Sequence, residues 1–445
     1  MEEKNELDAL REKLLYKQKQ GYDIIDVDER IKLEEYATAY KAYLNAARTE
    51  REAVTEAIAQ AEALGFVPYE RGMVLEPGTK IYKSVRGKAL MLAVMGRETL
   101  DHGANIAAAH VDSPRLDLKP IPLYEKDEIC LLKTHYYGGI KKYQWVAIPL
   151  EIHGVVTKKD GETIEVVIGK DPEDPKFTIT DLLPHLAKDQ MAKHGSDIIP
   201  GEYLNLLAGS VPYAGEGTKR VMLAVMSLLN DRYDITEEDF LSAELEVVPS
   251  FEACDIGVDR SFIGGYGQDD RVCAYAELKA IFDTETPDRT AVCVLADKEE
   301  IGSMGVSGMQ SRAFETFMAD LCEQQDVHLR DCFENSFCVS ADVCNAYDPT
   351  FWDVSEYPNR NGARANYGVG ICKFTGSRQV RQQRRLRRGR RQAAQDLCRQ
   401  RRCLADERAR QGRSGRRRNG RAVYGQPQHR YHRRRYARVL DARSL

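Results

Sequence analysis

The sequence predicts an α/β protein in which a central mixed sheet is flanked by helices and interrupted by an inserted β-rich domain. Short apolar runs occur at 89–96, 105–112, 291–297 and 336–342. After residue 249 these runs alternate with helical patterns at 270–282 and 311–325. Strands that alternate with helices indicate a parallel or mixed sheet covered by helices. The length of 445 residues also exceeds what one hydrophobic core usually holds, so two domains are expected.

The chain begins with a pattern typical of one long amphipathic helix, predicted over about 32–64. Apolar and aromatic residues recur at helical spacing from Leu33 to Leu44, and Gly65 stands where a helix C-cap is expected. A short strand at 81–82 and the runs ALMLAVMG and NIAAAHVD follow, each bounded by turn residues. We assign 1–120 to the first part of the main domain.

The segment 121–246 has a different pattern. A Tyr-Tyr-Gly-Gly stretch precedes the run WVAIPLEIHGVV, a turn at 158–161 and a second run, TIEVVIG. Two such runs around a turn predict a β-hairpin. We therefore expect a separate β-rich domain here, with an outer surface that mediates assembly, and we assign 247–378 to the second part of the main domain.

Composition changes abruptly at about Arg378. Residues 378–445 contain 24 arginines, no lysine and four acidic residues, a net charge of +20 in a chain whose total is −4. Isoleucine and phenylalanine are also missing from this segment, which leaves little with which to build a packed core. We interpret 379–445 as an aberrant arginine-rich tail and expect it to be disordered or poorly packed.

The sequence favours a cytoplasmic protein without a membrane partner. No apolar run approaches the roughly 20 residues that span a bilayer, and the N-terminus lacks a basic region followed by an apolar stretch. The eleven cysteines are odd in number and include no C-x-x-C pair. This usage indicates buried thiols in a reducing compartment.

Three of the apolar runs lead directly into side chains that bind metals. They are followed by His110 with Asp112, by Glu299 with Glu300, and by Asp342. Ligand sites of open α/β sheets lie outside the carboxyl ends of the strands, so these side chains are expected to converge in one crevice. Carboxylates with imidazole suit zinc, manganese or cobalt, and two ions roughly 3.5–4 Å apart could share a bridging carboxylate.

Each of these residues also has a simpler explanation. A histidine after an apolar run is usually a hydrogen-bonded structural residue, and a Glu-Glu pair is usually a solvated loop or a helix start. Acidic residues at Asp269 and Asp270 could simply open a helix. Only their joint occurrence favours a metal site.

Four blocks resemble, in order and spacing, the ligand-bearing blocks of the M18 (aspartyl aminopeptidase) family of metalloaminopeptidases: AAAHVDSPRLDLKP, GGYGQDDRVCAYAELKA, ADKEEIGSMGVSGMQS and SADVCNAYDP. ALMLAVMG and YYGGIKKYQW fit the bacterial branch, and the resemblance covers about 15–378. It implies a zinc-peptidase-like fold with an inserted dimerisation domain and peptide substrates. It also implies a homo-oligomer, a dodecamer built from dimers, and two divalent metal ions, zinc with cobalt or manganese as alternatives.

The resemblance also implies roles for particular residues. His110 and Asp342 would bind one metal, Asp269 would bridge, and Glu300 would bind the other metal. Glu299 would be the general base that takes a proton from the attacking water.

Two further roles come from the same resemblance. Asp112 would orient His110 from behind. His185 aligns with a histidine that family members donate to the neighbouring subunit's active site, although a helix-surface histidine near Pro184 fits the sequence equally well.

One expected ligand is missing from the chain. The family's second metal also takes a histidine from a Met-His block near the C-terminus, and no such block is present. His429 and His432 lie in the arginine-rich tail, and we do not expect them to substitute, because catalytic metal sites demand fixed geometry.

We interpret the tail as the product of a reading-frame shift near Arg378. Reverse-translated residues 379–388, advanced by one base, can encode Lys/Arg-Ser-Gly-Ser-Asn-Asp-Ala-Ser-Ala, which matches the family's next block. The same offset at 441–445 can encode Met-His-Ala-Pro, which would restore the missing ligand. The chain as written would then lack the last strands and helix of the main domain, and we expect little or no peptidase activity from it.

Two hypotheses compete with an exopeptidase. The basic tail could neutralise the phosphates of a nucleic acid, but it lacks regular spacing or an RNA-binding motif, so a nucleic-acid partner is not expected. The chain could also be a catalytically inactive scaffold that retains one metal. The preferred N-terminal residue of the substrate stays open, because the pocket residues that choose it could lie in the replaced segment.

Overall fold

The computed structural model describes residues 6–15, 19–343, 346–354, 369–372, 404–406 and 437–441. In these parts of the chain the α-helices are α1 (Glu6–Leu14), α2 (Val27–Ala46), α3 (Glu50–Ala63), α4 (Lys188–Met191), α5 (Arg220–Tyr233), α6 (Gln268–Phe282), α7 (Ala313–Glu323) and α8 (Leu329–Asn335). The strands are β1 (Val67–Pro68), β2 (Lys80–Val85), β3 (Ala89–Val94), β4 (Asn105–His110), β5 (Arg115–Lys126), β6 (Ile129–Tyr137), β7 (Leu150–Thr157), β8 (Thr163–Ile168), β9 (Asn205–Gly209), β10 (Ala243–Pro249), β11 (Cys254–Ile256), β12 (Phe262–Gly264), β13 (Ala291–Ala296), β14 (Phe337–Ser340), β15 (Val369–Cys372), β16 (Leu404–Asp406) and β17 (Ala437–Asp441).

The main sheet is mixed, as the sequence predicts. Its order is β1-β2-β3-β13-β4-β14-β17-β15-β16, with β13 and β14 both parallel to β4 and β13 antiparallel to β3. Alternate residues of β3 enter different cores: Leu90 and Leu92 pack with α3 and α6, whereas Met91 packs with α7 and α8. The expected central sheet with helices on both faces is therefore confirmed.

The predicted N-terminal helix is in fact two helices. Helix α2 ends at Ala46 and α3 begins at Glu50, because Thr49 forms a capping box with Glu52. In this box the Thr49 hydroxyl accepts from the Glu52 amide while the Glu52 carboxylate accepts from the Thr49 amide. The expected C-cap is confirmed, since Gly65 has a φ of 84° and Phe66 donates its amide to the Ala61 carbonyl.

A second sheet is formed by the inserted segment. It is antiparallel, with the order β8-β7-β10-β5-β6-β9, and it has its own hydrophobic core around Leu150, Leu206 and Val247. The predicted hairpin is confirmed as β7 and β8, although β7 begins at Leu150, after the first residues of the apolar run. The strands of this sheet extend from 115 to 249, slightly beyond the assigned 121–246. The division into domains stays a prediction.

A buried cluster of charges joins the inserted sheet to helix α3. Arg115 on β5 lies 3.2 Å from Glu50 of α3 and 3.1 Å from Glu246 of β10, and the three side chains are 5%, 1% and 3% exposed. Burial alone would raise the pKa of Glu50, but Arg115 and Lys88 outweigh it and lower the pKa to about 2. Burial raises the pKa of Glu246 well above its usual value, although Arg115 opposes this. The negative charge of the cluster therefore lies mainly on Glu50 and less on Glu246.

Two short strands of the main sheet come from the arginine-rich tail. Strand β17 is antiparallel to β14, with Asp441 opposite Phe337, and β16 is parallel to β15. The rest of the tail lies outside the described residues, so its expected disorder and the expected loss of the last strands and helix stay predictions. Within the described part of the chain, no helix combines the length and the apolar character needed to cross a membrane.

Candidate metal centre

The site lies at the carboxyl edge of three neighbouring strands. Strand β4 ends at His110, which pairs with Ala296 at the end of β13. On the other side of β4, Ser340 at the end of β14 pairs with Ala108, and Asp342 follows two residues later. Parallel strands bring their following residues to the same edge of a sheet, which explains why distant segments meet here.

Five of the proposed site residues converge on this edge. One ligand atom from each of His110, Asp269 and Asp342 lies within 4.8 Å of the others, and the same holds for His110, Glu299 and Glu300. The Nε2 atom of His110 is 3.3 Å from Asp269 Oδ1 and 3.9 Å from Glu299 Oε2. The expected convergence is thus confirmed as geometry, while the roles of the residues stay predictions.

The imidazole of His110 is fixed by Asp112. Its Nδ1 atom lies 2.9 Å from the Asp112 carbonyl oxygen and 3.2 Å from Asp112 Oδ1, so that Nε2 faces the acidic cluster. The Asp112 carboxylate also accepts hydrogen bonds from the backbone amides of Glu299 and Glu300, both at 3.1 Å, and from the Tyr137 hydroxyl at 2.8 Å. Asp112 therefore joins β4 to the segment that carries the two glutamates.

The charges at the site perturb its titration. Burial would lower the pKa of His110, but hydrogen bonds to Asp112 and Asp269 raise the pKa well above its usual value. Burial would raise the pKa of Asp112, but His110, Tyr137 and the Glu300 amide lower it. Burial raises the pKa of Asp270, which is fully buried next to the cluster. Perturbed pKa values of this kind are characteristic of functional sites.

The residues present fit a divalent cation. Four carboxylates gather around one imidazole in a partly buried place, and a bound divalent cation would reduce their mutual repulsion. Oxygen donors with one imidazole nitrogen suit zinc, manganese or cobalt. The Nδ1 contact with Asp112 also provides the hydrogen bond that metal-binding imidazoles usually make with their second nitrogen.

The sequence did not predict that two residues of the inserted segment contact the candidate metal site. Tyr137 ends β6 and reaches Asp112, and Gly138 has a φ of 73° and lies so close to Glu300 that a Cβ atom would be 3.2 Å from that side chain. The Tyr-Tyr-Gly-Gly motif was visible, and the paired glycines after two aromatic residues were the available signal.

Among the described residues, His185 is not part of either cluster. His185 is exposed, in a turn that follows Leu183, and its proposed donation to a neighbouring subunit stays a prediction. His429 and His432 lie outside the described residues, so nothing tests whether they substitute for the missing ligand.

A mixed α/β sheet whose carboxyl edge gathers one imidazole and several carboxylates is typical of metal-dependent enzymes of the α/β class. The family model for aminopeptidase I zinc metalloproteases (M18) matches residues 43–399. The chain belongs to the M18 family and is a metal-dependent aminopeptidase, a hydrolase of peptides.

Curated relatives and solved structures agree with this assignment. A probable M18 family aminopeptidase 1 of Clostridium acetobutylicum is 46% identical over 374 residues, which cover 82% of this chain and 80% of that protein. The crystal structure of an M18 family aminopeptidase from Thermotoga maritima has a TM-score of 0.81 at 39% identity, covering 88% of this chain and 86% of that chain. The dodecamer of mApe1 from S. cerevisiae shares the fold, with a TM-score of 0.67 at 19% identity over 84% of this chain and 86% of that chain.

Proposed function

We propose that this aminopeptidase uses two divalent metal ions, zinc in preference to cobalt or manganese. His110 and Asp342 would hold the first ion and Glu300 the second, with Asp269 contributing to both, and one ligand atom from each of His110, Asp269 and Asp342 lies within 4.8 Å of the others. The proposal rests on two groups of side chains that both include His110. Asp269 and Asp342 complete one group, Glu299 and Glu300 complete the other, and the ligand atoms within each group lie within 4.8 Å of one another. When bound, the two ions would polarise the scissile carbonyl and lower the pKa of a water molecule.

The protein residues then have separate tasks. Asp112 holds the imidazole of His110 by its Nδ1 atom and leaves Nε2 directed into the site. Glu299 is partly accessible to solvent, and its Oε2 lies 3.9 Å from His110 Nε2, so it stands beside the ligands. A carboxylate in that place accepts a proton from the attacking water and returns it to the leaving amine.

We infer that the second metal position is weak in this chain. The histidine that the family takes from a Met-His block is replaced by the arginine-rich tail, which leaves Glu300 and the bridging Asp269. Fewer ligands lower the affinity for the ion and loosen its geometry. Reduced peptidase activity follows, and we attribute the tail to a reading-frame shift near Arg378.

The proposal extends to assembly and location. Exposed leucines at 182, 183 and 186 give the inserted segment an apolar surface, and a homo-oligomer would bury it. The S. cerevisiae relative is a dodecamer, and we propose the same assembly, built from dimers through the inserted segment. We place the protein in the cytoplasm, where its cysteines would stay reduced.

Zinc binding by two matched variants tests the roles of the carboxylates. Glu299→Gln should bind Zn²⁺ like the unaltered chain but lose peptidase activity by about 100-fold or more, because only the general base is removed. Asp342→Asn should lose Zn²⁺ affinity as well, because it removes a charged ligand. Activity is measured on the chain or, if it is too low, on a version with one base corrected near codon 378. Equal Zn²⁺ affinity in the chain and Asp342→Asn would overturn the ligand assignment.

A further inference from the structure

The inserted sheet contacts the metal centre through the end of strand β6. The Tyr137 side chain is buried, and its hydroxyl donates to Asp112 Oδ2 at 2.8 Å. The other carboxylate oxygen of Asp112 lies 3.2 Å from His110 Nδ1. One hydrogen bond from the inserted segment therefore acts on the residue that orients a proposed metal ligand.

The ring of Tyr137 is held from its opposite side. The guanidinium carbon of Arg115 lies 3.9 Å from the ring centroid, in a cation–π contact. Arg115 is itself held by ion pairs with Glu50 and Glu246. The ring that carries the Tyr137 hydroxyl therefore packs against the buried charge cluster that joins the inserted sheet to α3.

The next residue restricts the other side of the centre. Gly138 lies against Glu300 and Pro114, and a Cβ atom there would be 3.2 Å from Glu300 Cβ and Oε2 and 3.4 Å from Pro114 Cα. Only a glycine combines this approach with a φ of 73° at no steric cost. The end of β6 therefore acts on His110 through Asp112 and, at Gly138, lies directly against Glu300.

We propose that Tyr137 is a positioning residue by which the inserted domain orients Asp112, and through it the imidazole of His110, for metal binding. The inference rests on the proposed metal site. Hydrogen-bond partners behind a metal ligand typically change metal affinity by about 10–100-fold when they are removed. The inserted segment then has a task in the active site that is separate from assembly.

The test is Zn²⁺ binding by the full chain carrying Tyr137→Phe, measured by competition with a chromophoric chelator. The variant keeps the ring and its contact with Arg115 but removes the hydroxyl, so we expect Zn²⁺ affinity to fall by about 10-fold, the lower end of that range, because Asp112 itself is retained. Tyr136→Phe is the matched control, because Tyr136 is 41% exposed and its ring stacks on His135, away from Asp112. Its affinity should stay within about twofold of the unaltered chain.

Two further measurements separate positioning from a general structural role. The visible absorption of the Co²⁺-loaded chain should change in Tyr137→Phe, because a reoriented imidazole alters the ligand field. The urea midpoint of the metal-free variant should fall only slightly below that of Tyr136→Phe, because one buried hydrogen bond is lost. Unchanged Zn²⁺ affinity, or a lower urea midpoint with an unchanged Co²⁺ spectrum, would overturn the inference alone. Absence of Zn²⁺ binding by the unaltered chain would overturn the proposed metal site together with it.

Discussion

Removing the cation of the buried charge cluster should strongly destabilise the protein. Arg115→Met keeps the length and apolar stem of the side chain but removes the cation that contacts both Glu50 and Glu246, which are 1% and 3% exposed, and leaves only Lys88 beside Glu50. Removing one partner of a buried ionic cluster typically costs about 3–5 kcal/mol. A surface pair gives the comparison: Arg97 and Asp288 are 60% and 81% exposed at 3.1 Å, and Arg97→Met should cost less than about 1 kcal/mol.

Urea unfolding followed by tryptophan fluorescence measures this difference. Trp145 is buried in the core of the inserted sheet and reports on the unit to which Arg115 belongs. The Arg115→Met midpoint should fall well below that of Arg97→Met, with a similar denaturant dependence, because about the same surface is exposed on unfolding.

The stability lost in Arg115→Met should also depend on pH. The pKa of Glu50 is lowered in the folded state, so its contribution to stability is present above its unfolded pKa of about 4.3 and disappears as the pH falls toward 2. The gap between the unaltered chain and Arg115→Met should therefore be widest near pH 7 and shrink below pH ~4. If Arg115→Met costs no more than Arg97→Met at pH 7, the buried cluster does not stabilise the junction.

Three other predictions concern different parts of the molecule. Burial raises the pKa of Glu277, whose carboxylate has no hydrogen-bond partner among the described residues, so stability is lost as the pH rises above about 4.3. Glu277→Gln should raise the thermal midpoint at pH 8 but not at pH 4, and a gain of the same size from the exposed Glu285→Gln would contradict this. Gly138→Ala should weaken Zn²⁺ binding by about 10-fold, because its Cβ atom would press on Glu300. Gly139→Ala is the control, because a Cβ atom at that position meets nothing within 4 Å. Equal Zn²⁺ affinities of the two variants would refute the role of the close approach. Correcting one base near codon 378 should restore peptidase activity on a peptide substrate, and a gene whose alternate frame lacks the histidine codon would exclude the proposed shift.

Local patterns were sufficient for most of the regular structure. Apolar runs and helical spacing predicted β3, β4, β13, β14, α6 and α7 within a few residues, because buried strands and amphipathic helices carry their periodicity in the sequence. The break between α2 and α3 was missed. Its signal was the Thr49 to Glu52 capping box, and the continuous apolar spacing on both sides concealed it.

The sequence by itself predicted the types of the proposed metal ligands and the strand ends that carry them. The last residue of a strand follows from the local pattern, and strands that alternate with helices predict parallel neighbours, so His110 and Asp342 could be assigned to one edge of the sheet before the fold was known. The family resemblance then supplied the expected role of Asp112. Only the tertiary structure decided what supports these residues, because the contacts of Tyr137 with Asp112 and of Arg115 with Glu50 join segments that are far apart in the chain. Such contacts depend on how the inserted sheet packs against the main sheet and α3, and no periodicity in the sequence records that packing.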